Sequence, residues 1–172
     1  MNAYQEMITR HQAEFNSFPM FFAFNNQQFD EGMQKLGLNP TDTKSVCSFG
    51  AGGFYRKSDA PQLREMLDRH HQEMTDAIAA DLTGDGFIYD MFDYELANHE
   101  YGYTQDLSDT LQALNLTPEE VNTDSRFLHA LSRATKEQTE WYEQENSTSS
   151  TIDAVPAQEI AAEGVAEMPT MG

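Results

Sequence analysis

Apolar residues recur at three- and four-residue spacing over most of this chain, and glycines and prolines break the rhythm into segments. Tyr4, Met7, Ile8, His11, Phe15 and Phe18 predict an amphipathic helix over 3–17, ended by Pro19. Met20–Phe24 has the density of a short buried strand. Asn25 is placed to cap a second helix that turns Phe29, Met33 and Leu36 inward and stops at Gly37. After a turn at Asn39–Asp42, Ser45–Phe49 and Phe54–Lys57 read as two strands, joined by Gly50-Ala51-Gly52-Gly53 as a hairpin. Asp59 and Pro61 open a third helix whose stripe is Leu63, Met66, Leu67, His70, Met74, Ala77 and Ile78. Thr83–Gly86 breaks that pattern. A fourth helix sets Ile88, Met91, Phe92, Glu95, Leu96 and His99 on one side and is predicted to end at Gly102. Thr104 begins a short helix carrying Leu107, Leu111 and Leu114, and Thr117-Pro118-Glu119-Glu120 is a capping box. A last helix runs from Asp124 to Glu145 with Phe127, Leu128, Leu131, Trp141 and Tyr142. The sum is an α+β fold, predominantly helical, with five to six helices and a small antiparallel sheet.

Composition adds a boundary. From Asn146 the chain is rich in Ala, Glu, Pro, Ser and Thr and has neither aromatic nor basic residues. Such a segment buries too little surface to offset its ordering entropy. The reading is one domain over 1–145 and a disordered acidic tail over 146–172. The lone Cys47 excludes an internal disulfide and a cysteine-built zinc site, which suits a reducing cytoplasm. The N-terminus lacks the charged and apolar regions of a leader, and the longest apolar run, Phe18–Phe24, is far too short to span a bilayer.

Charge changes the picture most. The chain carries −19, and residues 70–125 hold thirteen Asp or Glu with no Lys or Arg. They are interleaved with apolar and aromatic side chains, so they belong to folded structure rather than a solvated tail. A field of one sign repels nucleic acid and anionic membranes and attracts basic proteins. The predicted binding set is therefore Glu73, Asp76, Asp81, Asp85, Asp90, Asp93, Glu100, Asp106 and Asp109, with Tyr94, Tyr101 and Tyr103 as the aromatic anchors that interfaces favour. Lys44, Arg56, Lys57, Arg64 and Arg69 hold half of the ten basic residues and are a second candidate surface, for phosphate or for a partner.

Candidate chemistry is weaker. Asp81, Thr83 and Asp85 occupy the first ligand positions of a helix-loop-helix calcium loop with Gly86 at the sharp turn, but the twelfth position is Phe92 instead of a bidentate Glu. A structural turn explains most of that pattern. Glu95 and His99 lie four apart on one helix face, where a carboxylate could orient a histidine for proton transfer, and His70 could join them. The plainer alternative is a polar contact between packed helices. Gly50–Gly53 has neither the third glycine of a dinucleotide site nor a Walker lysine. Leu111–Val121 has the rhythm of a helix-turn-helix, but its second helix would bring Glu119, Glu120 and Asp124 to DNA phosphates. No cofactor, metal or catalytic residue is expected.

Phe21–Asn25, Gly52–Lys57 and above all Gly86-Phe87-Ile88-Tyr89-Asp90-Met91-Phe92-Asp93-Tyr94-Glu95-Leu96-Ala97-Asn98-His99-Glu100-Tyr101 resemble a family of small acidic proteins carried by phages and mobile elements of gut bacteria, over about residues 4–145. Among proteins of that pool the chain is similar to anti-CRISPR inhibitors of Cas9. The resemblance implies a non-enzymatic inhibitor of a host defence nuclease and supplies no catalytic residue. Cas9-type effectors hold nucleic acid in positively charged channels, which an acidic folded surface could enter as a DNA mimic.

Overall fold

Asn2 starts the first helix. Its side chain accepts from Gln5 N while Gln5 returns a bond to the Asn2 backbone, a capping box for α1 (Ala3–Ser17). The computed structural model describes residues 1–152, with side chains to Thr148. A two-residue strand β1 (Phe21–Phe22) leads to α2 (Asn26–Lys35), capped by Asn25 and stopped by Gly37 at φ +72°. β2 (Val46–Gly50) and β3 (Gly53–Arg56) form the expected hairpin. The sheet is antiparallel throughout, in the order β1-β3-β2, with Phe21 opposite Phe54. The long α3 (Ala60–Ala80) follows, then α4 (Phe87–Asn98), α5 (Tyr101–Thr104), α6 (Ser108–Ala113), α7 (Pro118–Thr123) and α8 (Ser125–Ile152). The fold is α+β and mainly helical, with eight helices among the described residues, more than the five or six read from the sequence.

Two apolar clusters result. The smaller lies on one face of the sheet, where Phe21, Met33 and Leu36 pack with Phe29 and Phe54. The Phe21 ring rests on the α2 backbone, and a Cβ on Gly32 would stand 2.1 Å from it. The larger is built on α4. Ile88, Met91, Phe92 and Leu96 are fully buried there, roofed by Phe127, Ala130 and Ala134 of α8 and closed by Tyr4, Leu111 and Val121. The paired alanines let α8 approach closely, so that the Phe92 and Phe127 rings meet edge to face at 6.1 Å. Each side chain so buried contributes roughly 1.5–3 kcal/mol.

Several boundaries differ from the sequence reading. Asp59 stands at the N-cap of α3, but its carboxylate accepts from Arg56 Nε at 2.7 Å instead of capping. Leu67, predicted on the buried stripe, is exposed. α4 ends at Asn98, before Gly102, because Glu100 turns to φ +54°, which stops the helix without a glycine. Gly102 serves packing: a Cβ there would lie 2.8 Å from Tyr142 Cβ and 3.0 Å from Gln138 O, so only glycine lets the short α5 seat against α8. Thr104 closes α5 rather than opening α6. Finally, α8 continues past Glu145 to Ile152, its turns reinforced where Asn146, Ser147 and Thr148 donate to the carbonyls of Tyr142, Glu143 and Gln144. Residues 146–152, read from the sequence as the start of a disordered tail, are therefore helical, and the rest of that reading, 153–172, lies outside the described residues.

Candidate partner-binding site

The predicted acidic set divides by what each carboxylate touches. Asp81 is an organiser of backbone. Its Oδ1 accepts from Gly84 N at 2.9 Å and Thr83 N at 3.3 Å, and its Oδ2 from Ile88 N at 3.0 Å and Gly86 N at 3.1 Å. Partial burial opposes its charge, but these donors hold the carboxyl below its usual range. It therefore does for the start of α4 what a capping residue does, from six positions upstream. Asp85, the third ligand position of the calcium-loop pattern, lies 2.8 Å from His129 Nε2, which lowers its pKa, and Phe92 at the twelfth position is core. The donor set is that of a turn. Among the described residues no group of three or more His, Cys, Asp or Glu could hold a metal ion.

Other acidic residues hold elements together. Glu73 on α3 takes Arg10 and His11 of α1, and Glu14 on α1 takes Arg69 and His70 of α3. The two imidazoles stack between them at 3.9 Å and 10°. His11 and Arg10 pull the Glu73 carboxyl down to about 2, and Arg69 and His70 do the same for Glu14. Asp93 accepts from Gln138 on α8, and Asp124 pairs with Arg126. Asp90 is pushed upward, by partial burial first and by the nearby charges of Asp93 and Asp81, against one hydrogen bond from Ala3 N–H at the start of α1. A continuous phosphate-like row is not what these residues build, since Glu73, Asp81, Asp85 and Asp93 already serve the fold.

Asp76, Glu100, Asp106 and Asp109 remain, all exposed, and among the described residues no Lys, Arg or His is ion-paired to any of them. Of the basic cluster, Arg56 is held by Asp59 and the Leu36 carbonyl, and Arg69 by Glu14 and Glu73. Lys44, Lys57 and Arg64 are exposed. The Gly50–Gly53 turn offers no open cradle, because Phe24 and Phe49 lie against Gly52 and Gly53.

The Glu95, His99 and His70 constellation is not assembled. His70 belongs to the α1–α3 seam. Glu95, 7% exposed, accepts from Tyr4 Oη at 2.5 Å, and burial with that bond raises the Tyr4 hydroxyl far above its ordinary value. His99 Nε2 lies 3.5 Å from Glu95 Oε2 without hydrogen-bond geometry and is buried without a hydrogen-bond partner among the described residues.

One concavity was not read from the sequence. Between the end of α4, α5 and the later turns of α8 lies a cleft of about 650 Å³, lined by Glu100, Tyr101, Tyr103, Trp141, Tyr142 and Glu145. Four aromatic residues, Tyr101, Tyr103, Trp141 and Tyr142, line it, and among the described residues no Lys or Arg does. Trp141 is 59% and Tyr103 71% exposed. The walls are fixed from behind by Gly102 on α8, by Tyr103 against Tyr142 at 6.0 Å, and by Gln105, whose side chain bonds Tyr101 O, Gly102 O and Thr139 Oγ1. Glu100 and Gln105, both left-handed at φ +54°, bracket α5. The predicted Glu100, Tyr101 and Tyr103 thus meet residues 40 positions downstream. Trp141 and Tyr142 were visible only as members of an amphipathic helix.

Residues 3–137 match the model of a family of unknown function, DUF7659. The chain belongs to that family. The match includes the Asp81 loop, the Glu95–His99 pair and the α5 wall of the cleft, and stops just short of Trp141. No curated protein and no solved structure matches. No helix among the described residues is long and apolar enough to cross a membrane.

Proposed function

We propose that this chain is a non-enzymatic inhibitor that binds a basic nucleic-acid-handling protein, a Cas9-type nuclease being the target its sequence resemblance singles out. The supporting observation is that Asp76, Glu100, Asp106 and Asp109 are exposed without a cationic partner among the described residues, on a stretch that has no Lys or Arg from 70 to 125. Uncompensated like charge destabilises a free fold and is relieved by a cationic partner. The interface differs from a full polyanion mimic: capture is electrostatic, and the aromatic cleft beside Glu100 supplies the short-range contact. DNA cleavage by a Cas9-type nuclease, measured with and without the chain, tests the proposal. Inhibition that weakens in the Glu100→Gln, Asp106→Asn, Asp109→Asn triple variant supports it. Undiminished cleavage at saturating chain refutes it. His99 Nε2, buried 3.5 Å from Glu95 Oε2 without a hydrogen bond among the described residues, favours a second reading, an acid–base enzyme, which requires a turnover that His99→Ala abolishes in a folded protein.

A further inference from the structure

We infer that the α5–α8 cleft is a receptor for a cationic side chain, an arginine of a basic protein segment, held between aromatic faces and two carboxylates. The inference rests on the proposed function and names the anchor of its interface. Three observations converge on this occupant. First, the walls are the rings of Tyr101, Tyr103, Trp141 and Tyr142, and a planar guanidinium stacks on such faces. Second, the charged residues lining the cleft are Glu100 and Glu145, and among the described residues no Lys or Arg lines it. Third, the same helix carries a closed version of this arrangement nearer its N-terminus. Arg133 lies 4.0 Å over the Tyr89 ring, with Nε 2.9 Å from Glu137 Oε1 and Nη1 3.4 Å from Asp85 Oδ1. There the guanidinium is supplied by the protein itself. In the cleft the aromatic residues and carboxylates are present, and among the described residues no Arg lines it. The nearest cation along α8, Lys136, is turned to Glu140 at 3.8 Å. An apolar side chain would gain from the rings but would bring Glu100 and Glu145 out of water without a counter-charge, which is unfavourable.

Trp141 is the only tryptophan in the chain, so indole emission reports on this cleft directly. The full chain is titrated with a capped arginine-rich decapeptide at low salt, with far-UV circular dichroism as the fold control. A citrulline peptide of the same length, neutral but alike in shape, runs in parallel. The expected result is a saturable change in emission with the arginine peptide only. Affinity should fall roughly tenfold in Tyr103→Ala and in the Glu100→Gln, Glu145→Gln double variant, since each removes one class of contact. Equal binding of the citrulline peptide, no emission change, or unaltered affinity in both variants overturns the inference. Failure here is separable from failure of the proposed function. A nuclease that is inhibited equally by wild type and cleft variants removes the cleft and keeps the inhibitor. Cleft-dependent arginine binding with no nuclease inhibition removes that target and keeps the cleft.

Discussion

Replacing Asp81 with alanine is the sharpest test of how the acidic segment is held. The carboxylate accepts four backbone N–H groups, those of Thr83, Gly84, Gly86 and Ile88, and so fixes the turn between α3 and α4 and the first turn of the central core helix. The bonds to Gly84 and Ile88 are partly buried, and the roughly 1.5–3 kcal/mol of a bond to a charged acceptor, reduced by solvent screening at a part-exposed site, becomes about 1–1.5 kcal/mol each. The two exposed donors can turn to water and add little. Asp81→Ala is therefore expected to cost about 2–3 kcal/mol, or roughly 4–12 °C in Tm for a chain of this size. Asp81→Asn keeps one oxygen and turns an amide NH2 toward two donors, so it should lose at least half as much. Urea unfolding followed by circular dichroism at neutral pH measures both, with an unchanged slope showing that the same surface unfolds. The carboxyl titrates below its ordinary range in the fold. Its contribution is thus present above that ordinary range and lost as pH falls through the lowered folded-state value. Millimolar calcium should leave the midpoint unchanged. An alanine variant within about 0.5 kcal/mol of wild type, or a calcium-induced stabilisation that vanishes in Asp81→Ala, would show that the loop is not a self-capped turn.

Asp90→Asn should raise stability at neutral pH. Burial and neighbouring carboxylates raise the folded-state pKa of Asp90, so its charge opposes folding once pH climbs past the unfolded value, and a neutral amide that still accepts from Ala3 removes the penalty; a lower thermal midpoint would contradict this. Glu14 and Glu73, held at about 2 instead of 4.5, support the α1–α3 seam above pH 4.5 and lose that role between pH 4.5 and 2. Acid titration should accordingly be flatter over that window in Glu14→Gln and Glu73→Gln than in wild type. Gly102→Ala should destabilise by about 1–3 kcal/mol, since the new methyl would meet Tyr142 and Gln138 of α8, and should shift Trp141 emission by moving the cleft wall.

What could be read in advance was local. The Asn25 cap, Gly37, the Gly50–Gly53 turn and the Thr117–Glu120 capping box each act within a few residues, and each forms as its neighbours dictate. The buried stripe of α4 was equally plain, because Ile88, Met91, Phe92 and Leu96 keep helical period without interruption. Misread positions answer to partners that the hydrophobic pattern does not reveal, near or far in the chain. Gly102 looks like a terminator until α8 is laid against it. Asp59 looks like a cap until Arg56 takes its carboxylate. The Asp81 loop reads mainly as a structural turn, but the four amide partners that make Asp81 its organiser show only once the turn is folded. The charge run was correctly seen as one-signed, but which carboxylates are free depends on Arg10, Arg69, His129 and Gln138, none of which lies within the run. The cleft was invisible for the same reason: its two walls are brought together only by the packing of α5 on α8.

The central claim is that exposed, uncompensated carboxylates around an aromatic cleft capture a basic protein. The dissociation constant of the full chain for a Cas9-type nuclease, measured at about 50 mM and about 300 mM salt for wild type and for the Glu100→Gln, Glu145→Gln variant, addresses it most directly. The account predicts tight binding that weakens at least roughly tenfold with salt, with the variant weaker at low salt and less salt-sensitive. Absence of binding, or an affinity indifferent to both salt and variant, would contradict it.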